Sequence, residues 1–242
     1  MASSVMDTII KLNNQSSGRD KIFRLVQYSS RLIWASLQNK NSDKEVINQL
    51  KNLEYSLSTG RKLYRFGRSL DTFYAALNTL HLDDPVLRFS ITLSKINMAM
   101  YLFTDHIIWL GRVGLLSIDK EKWSKLSYKL WLYYLTMNLT RDFYEIMSVM
   151  NNFTHGSLKH DLQASNKKYA NPFLSQLSML YRLLRMHKDL ALDTVKNGCD
   201  ICLPLAQLGY LSIHPRTVGL LGMISSVAGM LPLLDSSYKL VP

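Results

Sequence analysis

Apolar residues recur every three or four positions along most of the chain, which is the periodicity of amphipathic α-helices. The alternating β-branched runs that are typical of strands are absent, and glycines are few. The pattern therefore predicts an all-α fold. The sequence contains no internal repeat of fixed period.

The first predicted helix covers 19–38 and has two distinct faces. One half of its helical wheel is apolar and includes Val26, Ile33 and Trp34. The other half carries polar and charged side chains, namely Asp20, Lys21, Arg24, Gln27 and Arg31. A capping box formed by Ser42 and Glu45 predicts the start of the next helix, which continues with a narrow apolar stripe.

The most informative segment is 58–80, which is predicted to be a single amphipathic helix. Its broad apolar face contains leucines and aromatic residues, namely Leu63, Tyr64, Phe66, Leu70, Phe73, Tyr74 and Leu77. The opposite face carries Arg61, Lys62, Arg65 and Arg68. Arginines opposite an aromatic face are typical of a helix that lies in the membrane interface. Gly60 and Gly67 each weaken the helix by about 1 kcal/mol relative to alanine, which favours folding on a membrane or a partner.

A long apolar stretch at 86–116 is interrupted by four charged residues, Arg88, Lys95, Asp105 and Arg112. A charge at the bilayer centre costs about 2.5–3.5 kcal/mol, so a span that faces lipid on all sides is disfavoured. Two interpretations stay open: a core helix, or a span whose charges face protein.

The segment 218–234 has seventeen residues without a charge and lies between Arg216 and Asp235. This length is the lower limit of a transmembrane helix. Small residues four apart favour close helix packing in lipid and predict a self-association face made of Gly222, Ser225, Ser226 and Gly229. The alternative is a buried hairpin of a soluble protein.

The composition is strongly basic, with 29 Lys and Arg residues against 18 Asp and Glu and a net charge of +11. This charge indicates an anionic partner, such as nucleic acid, anionic lipid or an acidic protein. Helices that read DNA usually expose Asn and Gln, whereas here arginines flank aromatic faces, so an anionic phospholipid membrane is favoured over nucleic acid. The predicted lipid-binding residues are Lys21, Arg24, Arg31, Arg61, Lys62, Leu63, Arg65, Phe66, Arg68, Leu70, Phe73 and Leu77. The alternative is that these apolar faces form the core of a soluble bundle.

No catalytic motif points to an enzyme: nucleophile elbows, phosphate-binding glycine loops and HExxH are absent from the sequence. Asp142 and Glu145 share a helical face and could act as an acid–base pair. With Arg141 beside them, an ion-paired helix surface is the preferred interpretation.

Cys199 and Cys202 form a single CxxC motif. No second CxxC and no pair of histidines at zinc spacing accompany it, although His214 could act as a third ligand. Two thiols on a helix are the preferred interpretation, and neither a metal nor another cofactor is predicted.

Several separated segments, in the same order, resemble the peroxin-11 family of peroxisomal membrane proteins. They are Gly-Arg-Asp-Lys-Ile-Phe-Arg-Leu-Val-Gln-Tyr at 18–28, Leu-Ser-Thr-Gly-Arg-Lys-Leu-Tyr-Arg-Phe-Gly at 57–67, Val-Leu-Arg-Phe at 86–89, Asn-Leu-Thr-Arg-Asp-Phe-Tyr-Glu-Ile at 138–146 and Asn-Gly-Cys-Asp at 197–200 with Pro-Leu at 204–205. The glycine-spaced segment 219–229 is similar to the C-terminal anchor of that family. The resemblance implies an integral protein of the peroxisomal membrane that self-associates and elongates or tubulates that membrane ahead of fission. It also implies contact with dynamin-type fission machinery and its adaptors. A solute pore is the alternative function within this family.

These observations together predict a helical membrane protein with amphipathic N-terminal helices and a C-terminal transmembrane helix. Its expected parts are a flexible extension at 1–17, an amphipathic membrane-remodelling region at 18–150, a variable polar linker at 151–172, and C-terminal helices at 173–242 with the anchor near 218–234. In the expected mechanism, the basic faces dock on anionic headgroups and the apolar faces wedge into one leaflet.

Overall fold

The computed structural model describes residues 6, 10–38, 44–161 and 185–240. Most of these residues lie in seven α-helices and two short 3-10 helices, and no strand occurs among them, which confirms the predicted all-α fold. The α-helices are α1 (Ser16–Gln38), α2 (Lys44–Tyr64), α3 (Arg68–Leu77), α4 (Pro85–Arg112), α5 (Lys120–Asp161), α6 (Lys188–Gln207) and α7 (Pro215–Leu234).

The segment 58–80 is not one helix, because the chain turns between α2 and α3. Gly67 has a φ of 81°, a left-handed conformation that glycine adopts without the steric strain of a side chain. The helix that the sequence predicted as continuous is therefore broken at this glycine. The break lets α3 take a direction different from that of α2.

The start of α4 is fixed by Asp84. Its carboxylate accepts hydrogen bonds from the backbone N–H groups of Val86 at 2.8 Å and Leu87 at 3.2 Å, which caps the helix. The Tyr144 hydroxyl on α5 donates to the second oxygen at 2.7 Å. The donors on Tyr144 and Leu87 hold the pKa of Asp84 below its ordinary value, and the Val86 amide adds to the effect.

Six of the helices pack as a closed ring. Helix α1 contacts α2 and α7, α7 contacts α6, α6 contacts α5, α5 contacts α4, and α4 contacts α2. Helix α3 stands beside this ring, where it packs on α4 and on the 3-10 helix Asn78–His81. The ring surrounds a central cavity to which all six of its helices contribute side chains.

The first and last helices of the ring approach each other closely at glycines. A Cβ atom at Gly222 would lie 2.3 Å from the Tyr28 ring. A Cβ atom at Gly219 would lie 2.8 Å from the backbone nitrogen of Leu32. Both distances are shorter than van der Waals contact, so the packing of α1 on α7 requires glycine at these two positions.

The predicted self-association face is occupied within the chain. Gly222 packs on Tyr28, Gly229 lies against the side chain of Lys21, and both serines of the face are fully buried. Small residues allow close approach whether the neighbour is a second copy or another helix of the same chain, and the sequence does not distinguish the two cases. A second copy could reach this face only if α1 moved away.

Both segments predicted to be irregular contain ordered structure. Residues of the predicted N-terminal extension pack on the bundle: Leu12 is buried, and the Lys11 amine donates to the Leu234 carbonyl at 2.7 Å. Helix α5 continues to Asp161, through the first part of the linker predicted at 151–172. The rest of that linker, the predicted helical residues up to 184 and the capping residue Ser42 lie outside the described residues.

Asp84→Ala should lower the midpoint of thermal unfolding, because it removes the N-cap of α4 and the acceptor for Tyr144. Far-UV circular dichroism of the purified protein in detergent measures this midpoint. The difference from the parent should shrink as the pH falls below about 4, since an aspartate with a lowered pKa contributes stability only while it is ionised. Asp84→Asn keeps an acceptor and a good capping residue and should melt near the parent. Equal melting of the alanine variant and the parent would rule out the capping role.

Gly222→Leu should destabilise the protein by about 1–3 kcal/mol or more, because the new side chain overlaps the Tyr28 ring. Gly198→Ala is the matched control, since a Cβ atom there meets nothing within 4 Å. The control should be neutral or up to about 1 kcal/mol more stable, through its higher helix propensity. Thermal melts test both, and light scattering after size exclusion gives the oligomeric state. Unchanged stability with a loss of self-association in Gly222→Leu would contradict the packing on α1.

Candidate functional site

A cavity of about 500 Å³ lies inside the ring and is lined mainly by polar and charged side chains. Ten lysines and arginines and four carboxylates contribute to its lining. Charged side chains are rarely buried in proteins unless they are paired. The ion pairs among these side chains therefore show which helices they join and which charges in the cavity are already neutralised.

Helices α1 and α6 are joined by a buried ion pair. The Arg24 guanidinium contacts Asp200 through both terminal nitrogens, one of them at 3.2 Å, in the two-pronged geometry that suits arginine and carboxylate. The same guanidinium lies 5.5 Å from the centroid of the Tyr28 ring. The contact fixes the two helices at one side of the cavity.

Helices α1 and α2 are joined at two levels. Glu54 accepts from the Arg31 Nε at 2.7 Å and from the Trp34 indole at 2.8 Å. Arg61 donates from its Nε to Asp20 at 3.0 Å. In both pairs a carboxylate on one helix meets an arginine on the other, so the charged faces of α1 and α2 point toward each other and toward the cavity.

Asp105 on α4 is the most deeply buried carboxylate of the lining, with 1% of its surface exposed. Lys62 and Arg65 both form ion pairs with it, the latter at 2.8 Å. Arg65 also donates to the Tyr101 hydroxyl at 3.0 Å and lies 3.6 Å from a carboxylate oxygen of Asp20. Because an isolated carboxylate would be strongly disfavoured in this interior, the two cations are needed to keep Asp105 ionised there.

A second charged cluster joins α5 and α6. Arg141 forms ion pairs with Asp142 and Asp193, and lies 3.8 Å from Glu145. The Asn197 amide donates to Asp142 at 2.8 Å. The interpretation of Asp142 and Glu145 as an ion-paired set is confirmed, although Asp142 is fully buried and does not lie on a helix surface.

Large apolar side chains are exposed at many positions on the outer surface of the molecule. Leu70 is 75% exposed, Phe89 is 67% exposed and Phe143 is 65% exposed, and every helix presents at least one such side chain. Exposed apolar surface on this scale marks contact with a membrane or a partner. Charges inside and apolar side chains outside are the arrangement expected of helices surrounded by lipid.

The predicted lipid-binding face of 58–80 is therefore reversed. Lys62 and Arg65 are buried, and the Arg61 side chain is only 11% exposed, so the expectation that they form an exposed headgroup-binding face is wrong. The reason is that Asp20 and Asp105, distant in sequence, attract these cations into the ring. The apolar residues predicted to enter the membrane do face outward, and Leu63, Phe66, Leu70, Phe73 and Leu77 are each between 46% and 75% exposed.

The basic residues predicted on α1 show the same reversal. Arg24 and Arg31 are paired inside the ring, and Lys21 also lines the cavity. The opposite face of the helix is exposed at Val26 and Ile33. The sequence reasoning missed the carboxylates as partners, although single acidic residues within apolar stretches were a visible signal for them.

The charged residues of 86–116 do not all line the cavity. Asp105 and Arg112 on α4 line the cavity, so both face protein, whereas Arg88 near the start of α4 is exposed. The Lys95 amine instead donates to the Ala75 carbonyl of α3 at 3.3 Å and lies outside the cavity lining.

Helix α7 is long and apolar enough to cross a membrane, and no other helix among the described residues passes this test of length and composition. The side chain of His214 caps the start of α7 by accepting a hydrogen bond from the backbone N–H of Arg216 at 3.2 Å.

Cys199 and Cys202 are free thiols on α6. Within the described ranges, no three His, Cys, Asp or Glu side chains are grouped so that they could hold a metal ion.

Comparison with known proteins agrees with a membrane location. The family described as peroxisomal biogenesis factor 11 (PEX11) matches residues 6–234. The chain is 38% identical to peroxisomal membrane protein 11A of Homo sapiens, over 97% of this chain and 99% of that protein. It is 35% identical to human peroxisomal membrane protein 11B, over 98% and 100%, and 22% identical to the Dictyostelium discoideum homolog, over 93% and 92%. No solved structure matches it. The chain belongs to the peroxisomal biogenesis factor 11 (PEX11) family of peroxisomal membrane proteins.

Proposed function

We propose that the protein is integral to the peroxisomal membrane and elongates it, ahead of fission, by inserting the apolar face of α3 and of the preceding turn into one leaflet. The observation that carries this proposal is the outward orientation of that face. Leu70 and Phe73 are more than half exposed, while the charged side of the same segment is turned toward Asp20 and Asp105.

The length of α3 restricts where it can act. Its ten residues span about 15 Å, half of the hydrocarbon thickness of about 30 Å, so α3 cannot cross the bilayer. It also stands beside the ring, where, among the described residues, it packs on α4 and on the 3-10 helix. A helix of this length that inserts its apolar face occupies one leaflet and adds area to that leaflet alone.

The energy of insertion comes from apolar burial. Transferring a half-exposed leucine or phenylalanine from water to hydrocarbon contributes about 1 kcal/mol. Five such side chains, Leu63, Phe66, Leu70, Phe73 and Leu77, contribute several kcal/mol together. Added area in one leaflet bends the bilayer toward the side that carries the insertion, and α7 keeps the insertion attached as a transmembrane anchor.

The basic residues have a different task in this mechanism from the one expected from the sequence. Arg61, Lys62 and Arg65 hold the α2–α3 segment to the ring through Asp20 and Asp105. They orient the apolar face outward without docking on headgroups. Severing an elongated membrane needs a further activity, and contact with dynamin-type machinery and its adaptors, together with self-association, is our proposal for that step.

A second candidate function is passage of solutes, and the central cavity is the observation that favours it. A ring with a charged interior and an apolar exterior is the general plan of a membrane channel. In this case transport depends on the cavity and does not require the α3 face. The two functions can therefore be tested with one variant.

Replacing both Leu70 and Phe73 by Glu should abolish tubule formation by the purified protein in liposomes. Each carboxylate placed in hydrocarbon costs about 2.5 kcal/mol or more, which removes most of the insertion energy. Electron microscopy scores the tubules, and release of an entrapped small solute measures flux in the same preparation. Flux should survive, because neither residue lines the cavity.

The matched control is Leu70→Met with Phe73→Leu, which keeps the face apolar and should tubulate like the parent. Because both side chains are exposed, neither variant should unfold the bundle, and a thermal melt checks this. Tubules that persist in the glutamate variant would overturn the α3 mechanism. Loss of flux with normal tubules would favour the channel.

A further inference from the structure

The central cavity contains more positive charge than its own carboxylates balance. Ten lysine and arginine side chains line it, against four aspartates and glutamates. We propose that this cavity binds a phosphate-bearing organic anion. The proposal does not depend on membrane elongation by α3, because the apolar face of that helix does not line the cavity.

All four carboxylates of the lining already have cationic partners. Arg31 pairs with Glu54 and Arg24 pairs with Asp200. The remaining two are shared by three cations, with Arg61 on Asp20, Lys62 on Asp105, and Arg65 in contact with both. The other cations of the lining therefore have no carboxylate left in the cavity.

Three of these cations, Lys51, Arg68 and Arg112, form no ion pair with any described residue. Arg112 donates to the Thr59 hydroxyl at 2.9 Å, and its guanidinium lies 4.9 Å from the centroid of the Tyr55 ring. The Lys51 amine lies 4.8 Å from the centroid of the Trp34 ring. A hydroxyl and a ring orient Arg112, and a ring orients Lys51, without neutralising either cation. An anion that enters the cavity supplies the missing charge.

The types of residue in the lining indicate the chemistry of the anion. Arginine forks match the oxygen geometry of phosphate and can donate two parallel hydrogen bonds to it. Six aromatic side chains also line the cavity, namely Tyr28, Tyr55, Tyr101, Tyr128, Trp131 and Tyr134, and they offer faces for a planar organic group. The volume of about 500 Å³ falls in the range of small-molecule sites and is much larger than a single phosphate needs.

An organic phosphate can be a soluble molecule or the headgroup of a lipid. Only four lining side chains are aliphatic or thioether-bearing, namely Met98, Ile108, Leu203 and Val218. Such a lining has little apolar surface for an acyl chain, so we expect the soluble source. Both sources place phosphate oxygens against the same cations, and the experiment separates them.

The test uses the full chain in nanodiscs of phosphatidylcholine and isothermal titration calorimetry. Adenosine triphosphate is the soluble organic probe and inorganic phosphate is the probe for the anion alone. We expect the nucleotide to bind at least about tenfold more tightly than phosphate, because only it reaches the aromatic side chains, and to bind more weakly at high salt. Absence of binding by both soluble probes, together with no effect of phosphatidylinositol 4-phosphate in the disc on the melting midpoint, would overturn the proposal.

A third arm identifies the source. Nanodiscs that contain phosphatidylinositol 4-phosphate should leave nucleotide binding unchanged if the natural ligand is soluble. Competitive loss of nucleotide binding in these discs would assign the cavity to a lipid headgroup. Both results retain a phosphate site in the cavity.

Arg112→Gln and Lys51→Gln test whether binding occurs at the cavity. Neither substitution leaves a carboxylate unpaired, and each removes one cation from the lining. Each should weaken nucleotide binding about tenfold, the loss expected for one hydrogen bond to a charged group. Lys122→Gln makes the same charge change at an exposed position of α5 outside the lining and should bind within about twofold of the parent. Equal weakening by Lys122→Gln would show a response to net charge alone and would contradict a site in the cavity.

Two further variants guard against misfolding and separate this proposal from membrane elongation. Arg112→Lys keeps the charge and should recover most of the binding that Arg112→Gln loses. Lys51 is exposed at the edge of the lining, so Lys51→Gln keeps the test valid even if Arg112→Gln does not fold. The Leu70 and Phe73 glutamate variant should bind nucleotide like the parent, and the Lys51→Gln variant should tubulate like the parent. A variant that loses nucleotide binding can therefore still be tested for tubulation, and a variant that loses tubulation can still be tested for nucleotide binding.

Discussion

The architecture depends on carboxylates that are buried between helices and neutralised by lysines and arginines from other helices. Asp20 joins α1 to the end of α2, Asp105 joins α4 to the same segment, and Asp200 joins α6 to α1. In the integral location proposed above, apolar surfaces gain nothing by leaving hydrocarbon for a protein interior, so helix association relies on close packing and on polar contacts. Ion pairs inside the ring supply the polar contacts, and the glycines of α7 supply the close packing. The apolar exterior and the charged interior are thus two results of the same constraint.

The elements of the fold could be predicted from the sequence, but the direction in which their faces point could not. Periodicity located α1 and the uncharged run located α7, each within a few residues, and periodicity separated each amphipathic helix into two faces. A helical wheel shows which residues share a face but not which residues elsewhere in the chain that face contacts. Arg65, for example, forms an ion pair with Asp105, forty residues away on α4. In water the charged face would be outside, whereas a complementary charge elsewhere in the chain makes it the inside. The same limit applies to Gly222, whose neighbour is Tyr28 of the same chain.

The apolar face of α3 and the central cavity are connected by a short chain of contacts. Phe66, exposed in the turn before α3, lies 4.6 Å from the His106 ring between centroids. The His106 Nε2 lies 3.1 Å from the Arg65 carbonyl, and the Arg65 side chain lines the cavity. The two proposed events, insertion of Phe66 into lipid and occupation of the cavity, would therefore act on adjacent residues of one turn. From the sequence, this turn could be recognised only by the weak helix propensity of Gly67. In the structure, the left-handed φ of Gly67 is what gives α3 a direction different from that of α2.

Closure of the ring joins the two ends of the sequence. Helix α1 packs directly on α7, and the amine of Lys11 reaches the carbonyl of Leu234 across a separation of 223 residues. A ribosome has to synthesise almost the whole chain before this contact can form, and long-range contacts of this kind slow folding. Until α7 arrives, one side of the ring is open, and charged residues of α1 such as Arg24 lack the surroundings that make their burial favourable. Newly made chains therefore need to be shielded from aggregation, or held at the membrane surface, until their last helix is released.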